Sequence, residues 1–352
     1  MKEINLGSRI INQYSRPYVI AEIGVNHEGS LEKAIELINL AKKGGADAAK
    51  FQTYKASKLA SKNSPAYWDT SKEKTTSQFE LFKKYDNFEN EDYIKLYEHC
   101  QLTGIDFLST PFDDEAADFL AELVPFFKIA SADINNVPLL RKLATHKKPI
   151  VLSTGASSIE EIKFAINLLE KNDVNDIALL HCILNYPTKN ENASLAMIYG
   201  LKEEFPNYII GYSDHTLPHD SITSLVAAHF FGAVILEKHF TDDKTLPGND
   251  HYHAMDISDL TAFQKKIDDI YILAGNSKKK NFIPGEEISR LNARRSIVLK
   301  EDMNKGDTIS IDNITYKRPG TGITTNYWDD IIGKKINKNL DEDYVLQWDD
   351  LQ

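Results

Sequence analysis

Cysteine is nearly absent from this 352-residue chain: only Cys100 and Cys182 occur. Two thiols cannot build a disulfide framework, and their spacing matches no metal finger. Long hydrophobic runs are also missing. The longest apolar stretch near the end, Val226 to Leu236, carries His229 and falls well short of the ~20 residues a membrane helix needs. The opening MKEINLGSRIINQYS lacks the apolar core of a secretory signal. Basic charge is in deficit, since 41 Lys and Arg against 52 Asp and Glu give 41 − 52 = −11. A general nucleic-acid binder needs a basic face to displace counterions, so that class is disfavoured. No Gly-rich phosphate turn follows the first apolar run, and neither HExxH nor a pair of CxxC motifs occurs. The expectation is a reduced, cytoplasmic protein with no membrane and no nucleic-acid partner. An anionic small substrate would still require a local basic pocket.

What is present is a regular alternation. Eight short apolar runs appear in order: Tyr18–Glu22, Ala48–Gln52, Ile105–Ser109, Phe126–Ala130, Pro149–Ser153, Ile177–His181, Tyr208–Gly211 and Ala233–Glu237. Continuous apolar runs of this length suit strands buried on both faces of a parallel sheet. Helix-period segments lie between them, among them Leu31 to Lys43, Ser158 to Lys171 and Asp220 to Phe231, with a last one from Ser258 to Gly275. Ser30 reads as an N-cap and Gly44-Gly45 as a stop. Eight β–α units predict a TIM-type (β/α)8 barrel over residues 1–276, with an open doubly wound sheet as the alternative. NSKKKNFIPGEE then reads as a linker, 277–290. A small β-rich domain over 291–352 follows, with Arg295–Leu299 and Thr308–Ile311 as its extended segments. One connection is unusually long. Residues 53–88 hold Trp68 and other aromatics, which predicts either an ordered cover or an oligomer contact.

In such a barrel, functional groups gather at the carboxyl ends of the strands. Those positions here hold polar residues that a plain core would reject. Lys50 and Lys128 sit inside apolar strands, so each either points into the barrel mouth or snorkels to water. Two ammonium groups near Ser and Thr donors would suit a phosphate and a carboxylate. His215 and His239 follow adjacent strands and are candidates for a divalent ion. His99, His146, His219 and His229 fall on helices or loops and read as ordinary. Glu22, Asp133, Glu237 and Asp250 lie at the same end. They either pair with the lysines or act as base or hydroxyl-orienting groups.

The motifs AEIGVNHEGS, KFQTY, STPF, FKIAS, LSTG, NYPT, GYSDHT, EKHF, ARRSI and RPGTGI, in this order, resemble the sialic acid (nonulosonate) synthases. The resemblance runs through nearly the whole chain. It implies a barrel followed by an antifreeze-protein-like (SAF) domain, and an enzyme condensing phosphoenolpyruvate with an N-acylated mannosamine-type hexose. N-acetylneuraminate synthase is the first expectation and N,N'-diacetyllegionaminate synthase the alternative. The resemblance places metal ligands on His215 and His239, for Mn²⁺ or else Mg²⁺ or Co²⁺. It places phosphoenolpyruvate contacts on Lys50, Thr110, Lys128, Ser131, Ser153, Asn185 and Ser213. Sugar contacts fall on Gln52, Asp133, Tyr186 and Asp250, and Glu22 and Glu237 stand beside the reacting groups. Arg318 would meet the sugar's N-acyl group from a partner protomer in a domain-swapped homodimer.

Two positions depart from the family pattern. Asp133 stands where Glu is more usual, and LPGNDHYHAMD replaces a shorter GPDH pattern, crowding His251 and His253 near Asp250. Two rivals differ in class: a Schiff-base pyruvate aldolase, and a non-catalytic carbohydrate- or ice-binding protein.

Overall fold

Each of the eight apolar runs becomes a strand: β1 Tyr18–Gly24, β2 Ala48–Thr53, β3 Asp106–Pro111, β4 Phe127–Ile129, β5 Ile150–Ser153, β6 Ile177–Cys182, β7 Ile209–Asp214 and β8 Ile235–His239. The structure is a computed structural model that describes residues 2–68, 70–71, 73–218, 222–248 and 250–352. All neighbouring barrel strands run parallel, in the order β3-β2-β1-β8-β7-β6-β5-β4. The two ends, β3 and β4, lie side by side, so the sheet curls into a nearly closed barrel. Almost every strand residue is buried, as runs without polar alternation require.

The helices follow their caps. In the helix Leu31–Gly44, Ser30 Oγ accepts from the Lys33 amide. Gly45, at φ 94°, closes the other end in the left-handed conformation. The helix expected from Asp220 runs over Thr223–Phe230; His219 and Asp220 lie outside the described residues. The last barrel helix is Ile257–Ala274 and packs on Leu31–Gly44.

A hairpin that the sequence reading did not foresee precedes the barrel, with strands Glu3–Leu6 and Arg9–Asn12. Ile4, Leu6 and Ile11 are buried in the barrel's core. The Asp106 carboxylate, at the start of β3, accepts from the Ser8 amide, Ser8 Oγ and Tyr18 Oη. The Arg9 guanidinium donates to Asp47 ahead of β2, and Lys2 reaches Asp176 ahead of β6. These anchors all sit at the amino ends of strands, so the hairpin lies across the face opposite the predicted site. Strands this short give no readable period, which is why sequence reasoning passed over them.

The described residues of the long 53–88 connection form an ordered cover. It contains the helices Ala56–Leu59 and Gln78–Tyr85, and it buries Trp68, whose indole N–H donates to the carbonyls of Glu73 and Thr75.

The second compact unit is Gly275–Gln352. Its strands Ser296–Leu299 and Ile314–Lys317 pair antiparallel over a small core that includes Ile297, Leu299, Ile314, Ile323 and Leu346. Two expectations are corrected here. The segment expected as linker gives way to the helix Glu287–Ala293 after a short turn. Thr308–Ile311 is not a ladder strand; it makes one bridge, Thr308 to Lys335, before Asn313 Oδ1 draws in the Ser310 amide and turns the chain.

Candidate active site

Side chains on a strand alternate between faces, and that rule sorts the charged residues of the barrel. Ser213 on β7 and Glu237 and His239 on β8 point into the barrel mouth, and His215 follows Ser213 there. Asp214 and Lys238, between them, turn to the other face and pair at 3.0 Å, both fully buried. Asp214 is further satisfied by Tyr212 Oη, Ser224 Oγ and the Thr216 amide. The Asp214–Lys238 pair is scaffolding behind the site, and it fixes the two strand ends that carry the imidazoles.

The mouth is a cavity of about 990 Å³, its opening included. Glu22, Lys50, Gln52, Thr110, Lys128, Ser131, Ser153, Tyr186, Ser213, His215, Glu237, His239 and Asp250 all line it. Asp133 and Asn185 do not line it. Asp133 accepts from the Asn136 side chain, the residue that caps the helix Val137–Thr145, and Asn185 is exposed. Arg318 belongs to the second unit.

At the bottom of the cavity two ammonium groups and two carboxylates interlock. Lys50 Nζ lies 2.5 Å from Glu22 and 3.7 Å from Glu237, and donates to Thr110 Oγ1 at 3.2 Å. Lys128 Nζ lies 3.5 Å from Glu237 and donates to Ser153 Oγ at 2.8 Å and to the Ile129 carbonyl. Both lysines therefore point into the mouth and neither snorkels to water, and they are paired there with acids. Two cations against two anions leave this cluster neutral, with hydroxyls from Thr110, Ser153 and Ser213 around it.

The two acids differ. Burial pushes the Glu22 carboxyl up, over the opposing pull of Lys50. Burial also acts on Glu237, but the ammonium groups of Lys128 and Lys50 outweigh it and hold that carboxyl low. Glu22 is thus the more easily protonated of the two acids, and Glu237 the one held ionised. Gly24, at φ 54°, makes room for this arrangement. A Cβ there would stand 3.2 Å from Glu22 Oε1 and 3.3 Å from the Gln52 amide nitrogen. The β1–β2 register also shifts between Glu22 and Gly24.

Opposite the lysines stand imidazoles. The His215 and His239 rings lie 5.5 Å apart, with Tyr186 packed on His215 at 4.1 Å. Nδ1 of His215 is hydrogen-bonded to the Ile183 carbonyl at 2.9 Å, so it carries the proton and leaves Nε2 as a lone-pair donor. Nδ1 of His239 lies 3.4 Å from Asp250. Burial pushes His215 down to about 3 and His253 to about 4, so both rings are neutral near pH 7. Neutral imidazoles beside a carboxylate form a donor set that suits a borderline divalent ion.

Sequence reasoning missed the opposite wall. Tyr54, Tyr67, Trp68, Leu81, Phe82, Tyr85 and Phe112 give the cavity an aromatic and apolar side, most of it from the 53–88 cover. The density of aromatics in that segment was the available signal. Cys182 also lines the cavity, but burial holds its thiol up at about 11, which leaves it unreactive. His181 is structural: its Nε2 meets the Ala193 carbonyl, and its ring stacks on Tyr212.

Comparison with known proteins identifies the family. The NeuB family model matches residues 37–279, and the SAF domain model matches residues 294–352. An uncharacterized protein of Methanocaldococcus jannaschii is 42% identical over 352 residues, covering 100% of this chain and 99% of its own length. An N,N'-diacetyllegionaminic acid synthase of Legionella pneumophila is 38% identical over 345 residues, covering 95% of this chain and 94% of its own length. Among solved structures, an N-acetylneuraminic acid synthetase of Leptospira borgpetersenii superposes with a TM-score of 0.71 at 32% identity, over 82% of this chain and 95% of that one. A TIM-like barrel with these groups at its mouth, joined to a SAF domain, places the chain in the NeuB family of sialic and nonulosonic acid synthases.

Proposed function

We propose that this protein condenses phosphoenolpyruvate with the open-chain aldehyde of an N-acylated mannosamine-type sugar, releasing phosphate and a nonulosonic acid. The observation that carries this reading is the pair of buried ammonium groups, Lys50 and Lys128, in the same cavity as the imidazoles of His215 and His239. Lys50 and Lys128 neutralise the phosphate and carboxylate, and Thr110, Ser131, Ser153 and Ser213 orient their oxygens. A divalent metal, Mn²⁺ first, held by His215 and His239, supplies Lewis-acid polarisation of the aldehyde oxygen when bound. C3 of phosphoenolpyruvate forms the new bond to the aldehyde carbon, and water adds at C2. The resulting tetrahedral carbon then loses phosphate by C–O cleavage. Glu22 is the residue placed to move a proton, while Glu237 keeps the lysines oriented. Gln52, Tyr186 and Asp250 face the sugar.

The sugar itself is read from the wall. N-acetylmannosamine carries hydroxyls at C4 and C6, where the 6-deoxy diacetamido hexose has an acetamido group and a methyl. The apolar surface of Leu81, Phe82 and Phe112 favours a 6-deoxy diacetamido hexose, the precursor of a legionaminate-type product. The Legionella relative's name points the same way. A second copy of the chain, supplying Arg318 from its SAF domain, would complete the N-acyl subsite. The exposed apolar side chains Phe282, Ile283, Ile288 and Leu291 before that domain support such a homodimer. A phosphoenolpyruvate-dependent enzyme of this kind works in the cytoplasm.

The test is phosphate release from phosphoenolpyruvate and Mn²⁺ with a panel of N-acyl hexosamines. The 6-deoxy diacetamido sugar should turn over with the highest kcat/KM. Preference for N-acetylmannosamine would return the assignment to a neuraminate synthase, and silence with every sugar would favour a binding protein. Borohydride with pyruvate should trap no adduct, whereas a Schiff-base aldolase would trap one.

A further inference from the structure

His253 is fully buried, and neither of its ring nitrogens has a hydrogen-bond partner. Four other buried histidines of the barrel are better placed, whereas His239 Nδ1 likewise lacks a hydrogen-bond partner. His181 bonds the Ala193 carbonyl, His215 the Ile183 carbonyl and His251 Thr241 Oγ1, while His27 Nδ1 accepts from the Gly29 amide. A buried imidazole left unpaired costs a fold stability without visible return. Such an orphan in a native site asks for an unseen partner.

The surroundings indicate which partner. Nε2 of His253 lies 3.6 Å from Asp250 Oδ1, and Nδ1 of His239 lies 3.4 Å from Asp250 Oδ2. Donor atoms of His239, Asp250 and His253 all lie within 4.8 Å of one another, and all three residues are buried. Two donors bound to one ion at bonds of ~2.1 Å stand roughly 3.0–3.5 Å apart. Each imidazole thus stands close to a ligating separation from its own oxygen of the Asp250 carboxylate. Among the described residues this is the only such set. Two imidazoles and one carboxylate are also donor types that a borderline divalent cation takes. The pattern is local to this chain's HYH sequence, residues 251–253, where one histidine is spent on Thr241 and the other is not.

We propose that His253 is a metal ligand in this protein, joining His239 and Asp250 in a three-donor set that extends beyond the His215–His239 pair. The inference deepens the metal-dependent reading of the same site, and its test reads metal rather than turnover. Asp250 then holds the ion and takes a smaller part in holding the sugar.

Co²⁺ is titrated into the metal-stripped full-length protein by calorimetry, in the wild type and in His253→Phe, which keeps a ring against Tyr252 but has no donor. Near-ultraviolet circular dichroism checks packing. The expected loss of Co²⁺ affinity exceeds the roughly 10–100-fold that an outer-sphere partner costs. A loss within or below that range overturns the proposal. Because the variant may pack badly, a second measurement uses the wild type alone: anomalous scattering from Co²⁺-soaked crystals. A peak at bonding distance from His253 Nε2 supports the proposal. A peak shared by His215 and His239 and out of reach of His253 refutes it, and leaves the synthase reading intact.

Discussion

Replacing Lys128 with methionine separates a binding lysine from a structural one. Lys128 is buried, and burial, joined by the like charge of Lys50, lowers its pKa. Its ammonium is thus already held in the fold at a cost. Methionine fills much the same volume and removes that cost. Glu237 would lose one partner at 3.5 Å but keep Lys50 at 3.7 Å and the Ser213 hydroxyl at 2.8 Å. Removing a sole partner from a buried ion pair costs about 3–5 kcal/mol, and replacing a whole pair by apolar groups is often neutral. With one cation remaining, the folding cost falls between these, at about 1–2 kcal/mol. Anion binding suffers more. A unit charge ~4 Å from a phosphate or carboxylate oxygen is worth about 4 kcal/mol at an effective dielectric near 20. Glu237 already spends part of that, so the net loss is about 2–4 kcal/mol, or roughly 30- to 1,000-fold in affinity. Phosphoenolpyruvate titration by calorimetry, alongside a urea melt, reads both quantities. A variant that binds phosphoenolpyruvate within about 3-fold of wild type would refute the role given to Lys128. Outright failure to fold would show that the ammonium serves the barrel instead.

Three further outcomes are expected. Seating an anion on Lys50 withdraws the cation that keeps Glu22 ionised, and Glu22 already sits above the usual carboxylate range. Phosphoenolpyruvate binding should therefore take up a proton and strengthen as pH falls. Calorimetry in two buffers of different ionisation enthalpy should find that uptake gone in Glu22→Gln, and equal uptake in both proteins would dismiss the assignment. Gly211→Ala places a Cβ 2.3 Å from Leu180 Cδ2 and 2.4 Å from the Ile235 carbonyl, so urea denaturation should show a loss of about 1–3 kcal/mol or more. Asp256 caps the last barrel helix by accepting from the Ser258 and Asp259 amides, and its alanine variant should lose about 1 kcal/mol. Burial works against that carboxylate's ionisation, but Lys244 and the amide donors prevail and hold it near about 2. The folded carboxyl thus ionises more readily than the unfolded one. The cap's contribution is complete above ~4 and disappears between there and about 2. A difference between wild type and Asp256→Ala that persists below that window would contradict the assignment.

The sequence reading succeeded where physics leaves a local mark. A short apolar run such as Ala48-Ala49 with Phe51 suits a strand buried on both sides, and the lysine within it is conspicuous because burial there is costly. Ser30 and Gly45 marked helix ends by their own hydrogen-bonding and dihedral preferences. What escaped lacked such marks. A strand buried on both faces hides its alternation, so Lys238 and Glu237 looked alike until the barrel turned one outward. Asp133 and Asn185 sit on loops whose path no periodicity encodes, so their places had to wait for the fold. The sequence reading placed both His251 and His253 near Asp250; only the absence of a hydrogen-bond partner in three dimensions separates the second from the first.

The amino-terminal hairpin carries one last implication. Ile4, Leu6 and Ile11 pack into the barrel's core from the strand ends opposite the cavity mouth, which gives the chamber a base. Lys50 and Lys128 lie midway along β2 and β4, beneath Tyr186, Asp250 and the aromatic cover. A vessel of that shape fills from the bottom: the smaller anion must settle before the hexose, or the hexose bars its way. Steady-state inhibition patterns should accordingly show compulsory sequential entry, with the sugar unable to bind productively to an empty enzyme.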